Sequence, residues 1–254
     1  MIEVRIRFYE ELNDFLTAAN RRQEIGYRLR QNETVKHAIE ACGVPHAEVE
    51  LILVNGESVD FGYRMKAGDR VSVYPQFECF DISPLLKVRP RPLRNPRFVA
   101  DVHLGGLAKY LRMLGFDTLY SRTFSDDGIA ALSTRDRRIV LTRDRDLLMH
   151  RVITRGRYVR ARNVHDQVIE VVSQLDLSGS IRPFSRCMEC NTGLVSVNRD
   201  DIRDRLPEGM AERYARFSLC PGCDRAYWEG SHYRRMQKFI TENIAVGRSE
   251  PVTG

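Results

Sequence analysis

The chain has 254 residues, with 40 Lys plus Arg against 34 Asp plus Glu, a formal net charge of +6 and 43% hydrophobic residues. That composition excludes a disordered or fibrous chain, and the length suggests two or three domains. No apolar run approaches the roughly 18 residues of a membrane span, and the alternation Met1-Ile2-Glu3-Val4-Arg5-Ile6-Arg7 excludes a signal-peptide core, so a cytoplasmic protein without a membrane partner is expected.

Residues 1–80 read as a small mixed α/β domain. Val4, Ile6 and Phe8 alternate with Arg5 and Arg7 as a half-buried strand should, and Ile25, Tyr27 and Leu29 repeat the pattern. Thr34 to Ala41 reads as a helix, capped by Asn32 or Thr34 and closed by Gly43. Leu51–Val54, an Asn55-Gly56 hairpin turn and a last strand, Arg70–Pro75, complete the order of a β-grasp, ubiquitin-like fold. Residues 81–97 follow, with four Pro and five basic residues, an extended linker whose charges can lie along a nucleic acid or simply keep it solvated.

From Phe98 to about residue 180 strands and helices alternate. Phe98–Ala100 is a short apolar strand, and Leu104, Leu107, Ala108, Leu111 and Leu114 form a helical stripe closed by Gly115. Asp117–Tyr120, a helix opened by Asp126 and Asp127, the buried strand Arg138–Thr142, Tyr158–Arg160 and a helix over Val164–Leu175 complete a βαβαβαβα pattern. Such alternation implies a parallel sheet with helices on both faces, and ligands gather outside the carboxyl ends of its strands. Asp101 and Asp144 follow two of those strands, and Asp126 opens a helix between them. Three carboxylates with one focus repel one another unless a cation neutralises them, and hard oxygen donors suit Mg²⁺ or Mn²⁺. Arg112, Arg143 and Arg145 are then candidates to hold substrate phosphates. Taken singly, Asp126 and Asp127 can equally be N-cap and first-turn helix residues, and Asp144 the cap of the helix after it.

Cys187-Met-Glu-Cys190 and Cys220-Pro-Gly-Cys223 are two CxxC knuckles separated by 29 residues, which a hairpin through Asp200–Met210 can fill. Four thiolates at this spacing make a closed tetrahedral Zn²⁺ site, structural because no position stays open for water. Trp228, beside Tyr227, packs on that ribbon or stacks on bases, and Ser231 can cap a closing helix, Tyr233–Ile240, with Arg234, Arg235 and Lys238 on it. Residues 181–243 are thus a zinc ribbon with its helix, and 244–254 a tail. Cys42 and Cys79 read as free thiols.

Two resemblances bear on function. The first strand and Gly68-Asp-Arg-Val-Ser-Val-Tyr-Pro75 resemble the small sulfur carriers of thiamin and molybdopterin synthesis. Gln76–Asp81 stands where those carriers end in Gly-Gly, so the implied role is interaction with a protein partner or packing, not sulfur transfer. Phe98-Val-Ala-Asp-Val-His-Leu-Gly-Gly-Leu-Ala-Lys-Tyr-Leu-Arg-Met-Leu-Gly-Phe-Asp-Thr118, Ile139-Val-Leu-Thr-Arg-Asp-Arg145 and the final Cys/Trp/Gly-Ser-His segment resemble the Mut-seven C-terminal RNase family. That resemblance implies a PIN-like nuclease domain over 98–180 with an attached zinc ribbon, Asp101, Asp126 and Asp144 as its catalytic, metal-binding acids, and Asp146 as a fourth candidate.

Charge divides along the same line. Residues 1–80 carry a net −3 and residues 81–254 a net +9, and 35 of the 40 basic residues are Arg, whose planar fork matches phosphate oxygens. The reading is a Mg²⁺- or Mn²⁺-dependent ribonuclease whose structural zinc ribbon aids RNA binding. The alternative is a catalytically idle RNA-binding or protein-adaptor module.

Overall fold

The structure is a computed structural model that describes residues 3–75, 87–88 and 96–244. The N-terminal part runs β1 (Glu3–Phe8), β2 (Ile25–Arg28), α1 (Val35–Ala41), β3 (Leu51–Val54), β4 (Glu57–Ser58) and β5 (Arg70–Tyr74). Then come β6 (Phe98–Ala100), α2 (Gly105–Met113), β7 (Thr118–Tyr120), α3 (Asp126–Asp136), β8 (Ile139–Thr142), α4 (Arg145–Met149), β9 (Gly156–Tyr158) and α5 (Val164–Gln174). The last part comprises β10 (Val195–Val197), α6 (Met210–Arg213), β11 (Phe217–Leu219), β12 (Ala226–Trp228) and α7 (Ser231–Phe239). Most of the Pro/Arg-rich linker, Cys79, the Gln76–Asp81 segment and the tail beyond Ile244 lie outside the described residues.

Compactness does not follow chain order. One unit combines residues of Met1–Asn95 with Ser125–Tyr158, and the other combines Pro96–Phe124 with Val159–Gly254.

In the first unit the sheet order is β2-β1-β5-β3-β4, with β1 and β5 parallel and the other pairs antiparallel. The alternation of β1 turns Val4, Ile6 and Phe8 into a core completed by Val35, Ala38 and Ile39 of α1 and by Val71 and Val73. Each such side chain, fully buried, contributes about 1.5–3 kcal/mol. Of the two candidate caps, Thr34 is the one used, its hydroxyl accepting from the His37 N–H at 3.3 Å. Asn55 and Gly56 both have positive φ, 53° and 91°, as a tight hairpin turn with matching twist requires. This is the β-grasp arrangement. The same unit holds α3 and the parallel pair β8–β9, with α4 between them in sequence. The strand before Val164 lies at Gly156–Tyr158, two residues ahead of the expected Tyr158–Arg160. Gly156 is there because any Cβ would meet the Leu148 side chain at 2.3 Å.

In the second unit β6 and β7 pair in parallel, Phe98 opposite Thr118. The stripe Leu107, Ala108 and Leu111 of α2 is fully buried. Tyr110 of α2 and His165 of α5 share a 2.8 Å hydrogen bond, and Phe239 of α7 packs against both rings. Strands β10, β11 and β12 form an antiparallel sheet carrying the cysteine knuckles. Two local expectations are corrected here. The 200–210 excursion is a short 3-10 helix, Asp200–Arg205, leading to α6, not a hairpin. Helix α7 begins at Ser231 itself, after an extended Gly230, so Ser231 is its first residue and not its cap.

Candidate metal centre and active site

Two tight turns bring the four knuckle cysteines together. The ligand atoms of Cys187, Cys190, Cys220 and Cys223 all lie within 4.8 Å of one another. Cys187 and Cys223 sulfurs are 3.5 Å apart, and those of Cys190 and Cys220 3.2 Å. A disulfide needs about 2.05 Å. Sulfurs at about 2.3 Å from a tetrahedral ion stand about 3.8 Å from each other, so this donor set fits a thiolate-bound cation. Ionisation in the cluster is uneven. Hydrogen bonds led by that of Thr192 outweigh burial and bring Cys190 down to about 6, while burial and the neighbouring thiols push Cys223 up to about 12. Four crowded sulfurs cannot all ionise without a cation among them. The Tyr227 hydroxyl stands 3.1 Å from Cys187 Sγ and the Thr192 hydroxyl 3.3 Å from Cys190 Sγ, a second layer of orienting groups. Among the described residues this is the one such group of three or more His, Cys, Asp or Glu side chains.

The first knuckle is bolted to α2 and β7. Arg112, only 4% exposed, donates from Nε to the Thr118 carbonyl at 2.8 Å and from Nη1 to the carbonyls of Met188 and Glu189 at 3.0 and 2.7 Å. Burial lowers its pKa. Arg112 therefore departs from the expectation of a phosphate ligand: its fork is spent on three backbone carbonyls of the protein. Asn191 adds a second tie, accepting from the Thr118 N–H at 3.0 Å and donating to Asp117 at 2.7 Å. Gly115 makes the close approach possible, with φ +98° and space so tight that a Cβ would stand 2.4 Å from the Arg182 carbonyl.

Asp101 follows β6 directly, is 4% exposed and accepts from the His103 N–H at 3.0 Å. Asp144 lies two residues past β8; its N–H donates to Thr142 Oγ1 and its carboxylate accepts from the Asp146 N–H, both at 2.8 Å. It caps α4, as its position allows, and remains exposed, as does Asp146. Ser125, not an aspartate, caps α3 by accepting from the Gly128 N–H. That leaves Asp126 exposed in the first turn, and Asp127 on the surface 3.5 Å from His150. Asp101 belongs to the second unit, and Asp126, Asp144 and Asp146 to the first.

Arg145 also departs from expectation. Its guanidinium donates to the Phe15 carbonyl and stands 5.3 Å from the centroid of the Phe15 ring. It joins α4 to the β-grasp domain. Arg143 is half-buried just before Asp144.

Sequence reasoning missed the centre of that junction. Arg157, 3% exposed, bonds Glu48 at 2.9 Å and Glu11 at 3.0 Å, and Glu48 also accepts from the Tyr158 N–H. Burial alone would lower the Arg157 pKa; the two carboxylates outweigh it and raise it. The partners are 109 and 146 residues apart, beyond any local pattern. Among Arg151, Arg155, Arg160 and Arg162, nothing in the sequence sets Arg157 apart as the buried one.

Residues 96–240 match the family described as the Mut7-C RNAse domain. The chain belongs to that family. Residues 1–81 match the Mut7-C ubiquitin domain, so this member of the Mut7-C RNase family carries its ubiquitin-like domain in front. Among solved structures, the small archaeal modifier protein 1 of H. volcanii is similar at 17% identity over 30% of this chain and 100% of its own, with a TM-score of 0.25. No curated protein matches. Among the described residues of this Mut7-C RNase chain, no helix is long and apolar enough to cross a membrane.

Its ribbon bounds a groove of about 1360 Å³ lined in part by Phe184, Tyr214, Trp228, Arg216 and Arg225. The groove's charges balance, with four Arg against Glu189, Asp200, Asp201 and Glu229.

Proposed function

We propose that the chain is a metal-dependent ribonuclease in which Asp101, Asp126 and Asp144, with Asp146 as a further acid, hold Mg²⁺ or Mn²⁺. The observation that carries this reading is that Asp101 and Asp144 each follow the carboxyl end of a parallel strand, β6 and β8, within the RNase family match. The donor set is hard oxygen, which suits these ions. When bound, such an ion lowers the pKa of a water and offsets charge on the phosphodiester. The protein's part is orientation. The His103 N–H holds one Asp101 oxygen and the Asp146 N–H holds one Asp144 oxygen, so each carboxylate would keep its other oxygen for the ion. Arg143, half-buried beside Asp144, is a candidate phosphate ligand.

The four-cysteine cluster takes Zn²⁺ in a closed, structural role, and the ribbon groove with Trp228 and Tyr214 offers ring surface to bases. Four thiolates in place of two disulfides accord with a reducing compartment, the cytoplasm. The ubiquitin-like domain's partner includes this chain's own Arg145 and Arg157, which leaves its other faces for a further partner.

The test is end-labelled single- and double-stranded RNA and DNA incubated side by side with the zinc-loaded protein, with and without Mn²⁺. RNA cleavage that requires Mn²⁺ is expected. If RNA binds and stays intact under every condition, the idle-module reading replaces this one.

A further inference from the structure

The outward face of the β-grasp sheet breaks a packing rule. Strand β1 alternates, so that Arg5 and Arg7 point away from the core while Val4, Ile6 and Phe8 point into it. Arg28 on β2 and Arg70 on β5 lie on the same outward face, and all four are exposed. Arg5 and Arg70 are direct neighbours across the parallel β1–β5 pair. Like charges placed so repel and destabilise a sheet. The structure offsets this with one residue: Glu24 accepts from Arg70 at 2.6 Å and Arg5 at 3.5 Å, and the two guanidinium groups stay 68% and 67% exposed. Arg7 has no ion pair among the described residues; its guanidinium stands 5.1 Å from the centroid of the Tyr9 ring, which stacks on Tyr74 at 4.2 Å.

This concentration is local. Residues 1–80 have 10 basic and 13 acidic residues, yet the face combines Arg5, Arg7, Arg28 and Arg70 with only Glu3 and Glu24. Its other outward positions on β1, β2 and β5 are Gly26, Ser72 and Tyr74, with Leu53 and Leu51 of β3 beyond them; the stacked rings of Tyr74 and Tyr9 adjoin the cationic strip and give bases a surface beside the phosphates. Arg5 and Arg7 are two residues apart on one strand, about 6.8 Å along it, a repeat comparable with successive phosphates of an extended strand. The guanidinium fork binds phosphate oxygens in pairs.

We propose that the open Arg5/Arg7/Arg28/Arg70 face of the ubiquitin-like domain is a phosphate-binding platform for single-stranded RNA, separate from the acids that cleave it. The choice of RNA as the polyanion rests on the ribonuclease reading; the cationic face itself does not.

The test uses the full zinc-loaded chain and a fluorescein-labelled 15-nucleotide single-stranded RNA of mixed sequence, without added Mg²⁺ or Mn²⁺, the probe's length being checked on a gel. Affinity is followed by anisotropy from 50 to 300 mM salt. The variant Arg5→Thr/Arg7→Thr/Arg28→Thr/Arg70→Thr is expected to bind at least about tenfold more weakly, and its salt slope to fall by about 2 to 3, because each single-strand phosphate contact contributes about 0.7 to that slope. The single variant Arg7→Thr, which breaks no ion pair, should lower the slope by about 0.7, and so tests the proposal even if the fourfold variant fails to fold. Unchanged affinity and slope in Arg7→Thr and in a folded fourfold variant overturn the proposal. So does tight binding of a 15-residue poly-glutamate peptide with no binding of RNA, which would assign the face to an acidic protein. Binding is read without cleavage, so failure of the nuclease reading shows separately, as intact RNA in the Mn²⁺ assay with the platform still binding.

Discussion

Arg157 shows what one residue does when its charge is taken out of water. A buried guanidinium survives only with partners, and Glu48 and Glu11 supply them within 3.0 Å. Glu48→Gln leaves Glu11 as the remaining carboxylate and weakens a buried charged hydrogen bond, so it is expected to lower stability by about 1.5–3 kcal/mol, read as a shift of the urea midpoint. Replacing Glu48 and Arg157 together with Leu and Met should recover most of that loss. Arg112 is the second case. If it is the fastener seen here, Arg112→Lys leaves carbonyls of the knuckle unpaired, and zinc release to a chromogenic chelator should quicken by at least about tenfold, each charged hydrogen bond contributing about 1.5–3 kcal/mol. A phosphate ligand would instead raise KM with zinc release unchanged. The cysteines make a third prediction. Cys220 is raised above its ordinary value and Cys223 stands near 12, so both are protonated at pH 7 before metal binds. Zinc uptake should release about two protons or more, detectable with an indicator dye, and apparent affinity should fall as pH falls.

At the scale of elements, the knuckle, α2 and β7 act as one piece through Arg112 and Asn191. Stripping zinc with a strong chelator should therefore melt more than the ribbon: amide exchange should rise in Gly105–Tyr120 as well as in Cys187–Trp228, and α1 should keep its protection. Equal exchange in Gly105–Tyr120 with and without zinc contradicts that coupling. The same elements explain what was readable in advance. Strand β8 announced itself as Ile139-Val-Leu-Thr142, buried at every position, and α1 by its Thr34 cap, because both signals are local. The CxxC pairs were legible because metal geometry constrains spacing within each turn. Strand β9 was misplaced because its buried Arg157 mimics a loop residue until Glu48 is known. Arg112 and Arg145 read as phosphate ligands in the sequence because a chain pattern shows where an arginine starts, not which carbonyl its fork reaches. Helix α7 begins two residues earlier than Tyr233, with Gly230 at its cap position and no side-chain cap.

At the scale of the whole molecule, charge follows the family boundaries. The net +9 lies in residues 81–254, which contain the RNase family match, and the net −3 in the ubiquitin-like part, on whose sheet four exposed arginines nonetheless gather. In the proposed mechanism the aspartates past β6 and β8 carry the chemistry. The most direct measurement is the single-turnover rate of Mn²⁺-dependent RNA cleavage by Asp101→Asn and Asp144→Asn, with zinc content and thermal midpoint recorded on the same samples. The rate is expected to fall by at least about a thousandfold in each, the scale of losing a group that acts on the transition state, with zinc held at one per chain. Cleavage at the wild-type rate in both variants would contradict the mechanism.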